Sequence, residues 1–198
     1  MRRWGGRGGD VGAGCGVRGV GRGASGVWGA GRGGVWGAGV LGGHTVAMVA
    51  WADVERAEPE FAARVRRLFD AGRHKTIATL RADGSPRISG IECEFADGQL
   101  TFGSMPGARK GADLRRDPRF ALHGPTVHPV TGKEAEWPGE AKIAGRAVPA
   151  GPLDEGAAGE MFTADISEVA ITRLNAEATL LVIESWTPQR GLRVIERE

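Results

Sequence analysis

The sequence predicts a mainly β, antiparallel fold of about seven strands with one leading helix, arranged as a closed or split barrel. Three observations support this prediction. Short runs of alternating apolar and β-branched residues recur along the chain, and the turn-forming pairs Asp83-Gly84 and Asp97-Gly98 separate neighbouring runs. No helical pattern alternates with the strands as a parallel α/β sheet requires, so sequential strands joined by short turns are expected to pair as neighbours.

Residues 1–47 differ in composition from the rest of the chain. They contain 19 of the 34 glycines, and their six arginines and one aspartate give a charge of +5, which leaves −3 for residues 48–198. A glycine-rich segment without apolar periodicity cannot offset the entropy cost of ordering its backbone. We therefore predict a disordered tail over 1–47, with a misassigned start near Met48 as a further hypothesis, and a folded domain over 48–198.

The composition also bears on partners and compartment. The excess positive charge lies in the tail, so we predict no nucleic-acid partner, although an RGG-like binding arm is the alternative for that segment. No apolar run approaches the roughly 18 residues that a membrane span needs. Cys15 and Cys93 form no disulfide framework, which fits a cytoplasmic protein. The histidines and glutamates around loop 125–139 match no known metal-ligand spacing, so no metal site is predicted.

A helical pattern begins at Trp51 and leads the domain. Pro59 suits the first turn of its main helix, and Gly72 is expected to end that helix in a left-handed conformation. Between them apolar residues recur at the three- and four-residue spacing of an amphipathic helix, namely Phe61, Val65, Leu68 and Phe69.

The strands are expected in a definite order. The first three, over 76–81, 87–95 and 99–104, should form an antiparallel meander. A fourth strand is predicted over 119–124, and further β-rich segments over 140–148, 161–174 and 179–186, with a possible last one over 192–195. Residues 150–160 are expected to contain a short helix.

An anion site is predicted after the third strand. The loop Met105-Pro106-Gly107-Ala108 leads into Arg109 and Lys110 at the start of a short helix over 110–116, which Asp117-Pro118 ends. Two adjacent cations beside free backbone N–H groups favour a phosphate. An isolated pair of this kind is more often simply solvated, so the wider motif must decide.

That wider motif resembles a known family. The runs ATLRADGSPRIS, FADGQLTF and SMPGARKGADLRRDPRFAL, in this order over residues 78–122, are similar to the split-barrel flavoproteins related to pyridoxamine 5'-phosphate oxidase, including the flavin/deazaflavin oxidoreductases of actinobacteria. The resemblance implies an FMN-binding split barrel and a homodimer with a shared cofactor site. The cofactor-binding positions it implies are Arg109, Lys110 and Arg87 at the phosphate, Ser104, and the backbone around Ile88, Ser89 and Gly90 beside the ring.

The residues themselves agree in part with this assignment. Arg87 and Ser89 share one face of a strand by the two-residue period, and Gly90 lacks a side chain where a flat ring could approach. Two differences from the family pattern argue against assigning the function of the oxidase directly to this chain. Glu92 occupies the position of a lysine in the family pattern, and residues 184–191 replace the RLHDR-like run that gives the oxidase its vitamin substrate. We therefore do not predict vitamin B6 synthesis, and Trp186 is expected either to cover the ring or to lie in the core.

The function implied is a flavin-dependent oxidoreductase that moves a hydride or electrons between FMN and a small organic molecule. A reductase that uses the deazaflavin coenzyme F-420 is the first alternative, and a non-catalytic flavin- or haem-binding protein is the second. No residue is an evident acid or base, so catalytic residues are not assigned. The substrate pocket is expected to be built from loop 125–139 and the C-terminal segment.

Overall fold

The structure of the chain, a computed structural model, describes residues 48–153 and 159–198. The predicted tail over 1–47 and residues 154–158 of the predicted short helix lie outside the described residues. The helices are α1 (Trp51–Ala57), α2 (Pro59–Asp70) and α3 (Arg109–Arg116), with a single 3-10 turn at Glu134–Glu136. The strands are β1 (Lys75–Leu80), β2 (Pro86–Ile91), β3 (Cys93–Ala96), β4 (Gln99–Ser104), β5 (Arg119–His123), β6 (Glu140–Pro152), β7 (Glu160–Leu174), β8 (Leu181–Thr187) and β9 (Gly191–Arg197). Within these ranges no helix is long and apolar enough to cross a membrane.

The predicted leading helix is in fact two helices. The chain leaves the helical conformation at Glu58, with φ −143° and ψ 73°, because a residue that precedes proline avoids the α region. Pro59 then begins α2 as predicted. The predicted left-handed cap at Gly72 is wrong, since its φ is not in the positive range. A Cβ at Gly72 would instead lie 3.2 Å from the Pro125 side chain, so close packing explains the small residue.

The first three predicted strands do not form one meander. β1 pairs with β2 and β3 pairs with β4, both antiparallel, but the predicted strand over 87–95 is interrupted at Glu92. The sheet runs in the order β2-β1-β5-β6-β7-β4-β3, so the consecutive strands β2 and β3 lie at its two ends. The chain changes hydrogen-bonding partners at this residue, and the sheet stays open there.

The second half of the sheet is built on a long hairpin. β6 and β7 pair from Glu140↔Thr172 to Pro152↔Glu160, with irregularities after Ala144 and Pro149. β6 therefore includes residues 150–152, where the sequence predicted a short helix. β8 pairs with β7, and β9 pairs only with β8 among the described strands. The count rises from about seven strands to nine because of the break at Glu92 and because the uncertain last segment is a full strand.

Aromatic side chains from the helices and the sheet meet in one core. The ring centroids of Trp51 and Phe95 are 4.5 Å apart, and those of Phe69 and Phe95 are 5.7 Å apart, which fixes α1 and α2 against β3. Trp186 is 4% exposed and belongs to the same core, which was one of the two expectations for this residue. Each large apolar side chain that is buried in this way contributes roughly 1.5–3 kcal/mol.

A buried carboxylate fastens α2 to the sheet. Glu184 on β8 is 4% exposed and accepts hydrogen bonds from two arginines. Arg64 Nη1 of α2 donates at 2.6 Å, and Arg173 Nε of β7 donates at 2.8 Å. The hydrogen bond from Arg64, together with that from Arg173, outweighs burial and holds the pKa of Glu184 below its usual value.

Replacing this carboxylate should destabilise the fold in a pH-dependent way. We expect Glu184→Gln to lower the free energy of unfolding by roughly 1.5–3 kcal/mol at pH 7, because three charge-assisted hydrogen bonds, two from Arg64 and one from Arg173, are weakened. A lowered carboxyl pKa stabilises the folded state above the unfolded-state pKa of about 4.3, and this contribution is lost as the pH falls through the folded-state value. Urea unfolding of both proteins at pH 7 and pH 3.5 checks both statements.

The matched control is Glu136→Gln, which removes a carboxylate that pairs with Lys133 at 3.3 Å while both side chains are well exposed. Exposed pairs contribute little, so its effect should stay within about 0.5 kcal/mol. A difference between Glu184→Gln and the unmodified chain that does not shrink at pH 3.5 would contradict the proposed role of the ionised carboxylate.

Candidate functional site

The candidate site lies where α3 begins. Arg109 is the first residue of this helix, one position earlier than predicted, and Ala108 before it has an extended backbone. Lys110 follows in the same turn. The first backbone N–H groups of a helix have no acceptor within the helix, and its N-terminus carries partial positive charge. The two side-chain charges and these N–H groups therefore stand together, as the sequence predicted.

Ser104 supplies a buried hydroxyl beside this helix start. It is the last residue of β4, is 2% exposed, and its Oγ has no hydrogen-bond partner among the described residues. A buried polar atom without a partner is costly, and Ser104 Oγ is one of three such side-chain atoms among the described residues. Gly111 allows the close approach of α3, because a Cβ there would lie 2.6 Å from Ser104 Oγ.

Lys110 ties α3 to the end of β2. Its Nζ donates a hydrogen bond to the carbonyl oxygen of Gly90 at 2.8 Å, and partial burial lowers the pKa of Lys110. A Cβ at Gly90 would meet no atom within 4 Å, so this face of β2 is open, as the sequence analysis proposed for the approach of a ring. Ile88 lies on the same face and is 75% exposed.

Arg87 lies on the opposite, inward face of β2 together with the half-buried Ser89. Its Nε donates to Asp113 Oδ2 of α3 at 2.6 Å, so part of the guanidinium is already engaged within the chain. Only the two Nη groups of Arg87 are left for a ligand. Ser104, Gly90, Arg109 and Lys110 thus lie around the first turn of α3, whereas Arg87 contacts this helix one turn later, at Asp113. Ser89 and Ile88 lie along β2.

Asp113 is a site residue that the sequence analysis missed. Its carboxylate is 3% exposed and also accepts hydrogen bonds from Thr79 Oγ1 at 3.0 Å and Arg116 Nη2 at 3.1 Å. Burial raises the pKa of Asp113, but the three hydrogen bonds outweigh that effect and the pKa is lowered. The available signal was the position of Asp113 directly before Leu114, on the side of a short helix that faces the sheet.

A small pocket of about 270 Å³ opens between the loop over 104–108 and α3. Glu160 on β7 also lines it, and the Glu160 carboxylate forms an ion pair with Arg115. Oε2 of Glu160 lies 3.2 Å from the position that a Cβ of Gly111 would take. The carboxylate is therefore next to the orphaned Ser104 hydroxyl, and Arg115 offsets its charge.

A larger cleft of about 710 Å³ adjoins this pocket through Met105. It follows the break in the sheet, with the stretch from Gly90 to Glu94 on one side and Thr101 to Gly103 on the other. The substrate pocket was expected from loop 125–139 and the C-terminal segment, and neither lines this cleft within one copy of the chain. The cleft itself was not predicted, because no local pattern marks the break at Glu92.

Two side chains of the cleft need separate comment. Glu92, which departs from the family pattern, is exposed at the rim and pairs with Arg73 Nε at 2.9 Å, so its charge is offset at a distance from α3. Cys93 is a free thiol whose pKa is raised to about 11, chiefly by burial. A thiol that stays protonated at neutral pH is a poor nucleophile. In residues 48–153 and 159–198, no group of three metal-ligating side chains is present.

Comparison with solved structures places the fold. A pyridoxamine 5'-phosphate oxidase-related, FMN binding protein from Nostoc punctiforme superposes with a TM-score of 0.51 at 11% identity, over 71% of this chain and 96% of the other. PhzG from Burkholderia lata gives 0.49 at 13% identity over 79% and 100% of the two chains. A heme binding protein from Mycobacterium smegmatis gives 0.42 at 12% identity over 67% and 86%.

The superposition on the Nostoc protein confirms the predicted split-barrel fold and, at such low identity, shows only the fold. No curated protein sequence matches the chain. The sequence profile described as pyridoxamine 5'-phosphate oxidase, in contrast, matches residues 61–191, which cover α2 through β8 and about two thirds of the chain. The chain therefore belongs to the pyridoxamine 5'-phosphate oxidase family.

Proposed function

We propose that the chain binds FMN at the start of α3 and acts as a flavin-dependent oxidoreductase on a small organic substrate. The observation that carries this proposal is the buried hydroxyl of Ser104, which has no partner among the described residues and lies beside the first turn of α3. A phosphate oxygen is a strong acceptor, and it would satisfy this hydroxyl together with the free N–H groups of the helix.

The charges around this point fit a phosphate. Arg109 is exposed and Lys110 is half-buried, and both stand on the first turn of α3. The carboxylate of Asp113 is shared by Arg87 and Arg116, so this cluster keeps a net charge of about +1, and Arg115 offsets Glu160. Two adjacent cations, a hydroxyl and the N-terminus of a helix together favour the binding of a phosphate dianion over water at this position.

The chain's other residues would hold and orient the rest of the cofactor. The open face of β2 at Gly90 gives a flat ring room against the backbone, and Lys110 fixes that stretch of β2 relative to α3. FMN, when bound, supplies hydride or electron transfer. The protein's part is then to position the ring beside the cleft and to limit the access of water. The structural neighbour from Nostoc punctiforme is an FMN binding protein, which supports this cofactor.

We also propose that the functional unit is a homodimer. β2 and β3 are the two end strands in the sheet order. Ile88 on β2 is 75% exposed, and Met105, which follows β4, is 66% exposed. Apolar side chains that are exposed together beside an open sheet end are typical of an interaction surface. A second copy that covers this face would complete the cofactor site.

The phosphate assignment predicts a difference between two flavins. Arg109→Ala should weaken FMN binding by roughly ten- to hundredfold, because a bidentate charge-assisted contact is lost. Lys110→Ala should weaken it less, since an ammonium is a point charge and the other donors remain. Riboflavin carries the ring without the phosphate, so neither substitution should change its affinity by more than about twofold. Quenching of flavin fluorescence measures all these affinities.

Arg119→Ala is the matched control for Arg109→Ala. It removes an exposed arginine that pairs with Asp117 just after α3, outside the proposed contacts. It should leave both flavin affinities unchanged. Equal FMN affinity of Arg109→Ala and the unmodified chain would refute the phosphate site. Mass analysis of the ligand released on denaturation separates FMN from coenzyme F-420 and haem.

Ser104 provides a second, independent test of the same site. Ser104→Ala should weaken FMN binding by roughly five- to tenfold, the loss expected for one hydrogen bond to a charged group. In the unliganded protein the same substitution removes an unsatisfied buried hydroxyl, so the melting temperature should rise or stay the same. Thermal unfolding with and without FMN checks this. A lower melting temperature of the unliganded variant would contradict the absence of an internal partner.

The dimer proposal predicts that a charge at Ile88 is disruptive. Ile88→Asp should shift the protein from dimer to monomer, because an unpaired carboxylate would be buried at the interface. Val130→Asp, in the exposed loop before β6, is the control and should stay dimeric. Light scattering over a range of concentrations measures both. A monomeric unmodified chain that binds FMN fully would refute the shared site.

A further inference from the structure

Lys75 is a buried lysine at the first position of β1. It is 8% exposed, and it pairs in register with Ile91 at the end of β2. Directly opposed residues of an antiparallel pair point to the same face of the sheet, so Lys75 lies on the inward side with Ile91. The side chain lines the 710 Å³ cleft.

The chain has four lysines, and Lys75 differs from the others in its contacts. Lys133 and Lys142 form ion pairs with glutamates at 3.3 and 2.7 Å, and Lys110 donates to the Gly90 carbonyl at 2.8 Å. Lys75 forms no hydrogen bond or ion pair with any residue in 48–153 or 159–198. Among the described residues, the buried side-chain atoms without a partner do not include Nζ of Lys75, so the ammonium is reached from the cleft and can pair there with an anion.

The cleft around Lys75 has the mostly apolar lining and the volume of a small-molecule pocket. Its apolar lining residues are Ile91, Phe102, Met105, Leu153 and Met161. Its volume lies within the roughly 300–1,000 Å³ of small-molecule sites, where mostly apolar walls surround a few polar groups.

The charges on the rim leave Lys75 available to a ligand. Glu92 is paired with Arg73, while Glu94 also lines the cleft but is exposed and forms no ion pair with Lys75. His74 lies 3.8 Å from Glu92 and is also exposed. Cys93 also lines the cleft. The positive charge of Lys75 lowers the pKa of the Cys93 thiol, but burial raises that pKa by more. The neighbour that Lys75 faces is therefore neutral.

We propose that Lys75 binds the carboxylate of a small organic acid in this cleft, which makes an anionic compound with an apolar body the substrate class. This inference rests on the proposed oxidoreductase function, because the cleft adjoins the cofactor site through Lys110 and Met105. The apolar body contacts Phe102 and Met161, and the carboxylate replaces the missing partner of the ammonium.

A pair of probes that differ only in charge tests the proposal. Benzoate and benzamide have nearly the same shape, and saturation-transfer NMR measures the binding of each to the FMN-loaded protein. We expect benzoate to bind at least about tenfold more tightly than benzamide, as a charge-assisted contact requires. Lys75→Met should abolish this preference, while Lys75→Arg should retain part of it.

Two further measurements separate a ligand role from a structural one. Lys75→Met replaces an ammonium that pairs with no described residue by an apolar chain of similar length, so its melting temperature should equal or exceed that of the unmodified protein. Lys133→Met makes the same chemical change on a surface loop and should leave the preference for benzoate intact. A preference that survives in Lys75→Met, or is lost equally in Lys133→Met, overturns the proposal.

A comparison of FMN-loaded with flavin-free protein tests whether Lys75 binds a substrate or the cofactor. If FMN or coenzyme F-420 displaces benzoate competitively, Lys75 serves the cofactor and the substrate assignment is wrong. If benzoate binds equally to both forms, the assignment stands. A protein that binds no flavin but keeps the Lys75-dependent preference for benzoate would refute the proposed function and leave the anion site supported, so the two failures are distinct.

Discussion

The break between β2 and β3 is the constraint on which the rest of the structure depends. Hydrogen bonds to β1 end at Ile91, and hydrogen bonds to β4 begin at Cys93, so Glu92 alone connects the two ends of the sheet. An uninterrupted strand would have brought β2 against β4 and closed the space between them. The cleft instead follows this discontinuity, and α3 crosses it with contacts to Gly90 on one side and Ser104 on the other.

The electrostatics of the site reflect two competing demands. A site for a dianion needs cations, but cations that face one another without a ligand repel. Asp113 reduces this repulsion, because its buried carboxylate accepts hydrogen bonds from both Arg87 and Arg116. The same carboxylate accepts a hydrogen bond from Thr79, which attaches α3 to β1. Arg109 remains outside that network. The chain thus separates cations that stabilise its own fold from those that remain for a ligand.

Local features of the fold could be predicted from the sequence, and features set by partner choice could not. The Asp97-Gly98 turn has φ of 50° and 71° at its two residues, a conformation that this pair of residues favours locally, and α3 begins within one residue of its predicted start. The break at Glu92 lies inside a continuous alternating run, so no local pattern marks it, and it is seen only where β2 pairs with β1 and β3 pairs with β4. Asp113 and Lys75 were missed for a related reason, because their burial depends on distant strands.

The last strand has a consequence for the behaviour of the protein at high concentration. β9 pairs with β8 alone among the described strands, so its other edge offers unpaired backbone groups, and Val194 and Ile195 are 55% and 45% exposed. Such an edge is a template for edge-to-edge pairing with strands of further copies of the chain. Arg193 precedes this apolar pair, and Glu196 and Arg197 follow it. These charges act as gatekeepers against aggregation at an edge of the sheet that neither β2 nor β3 forms.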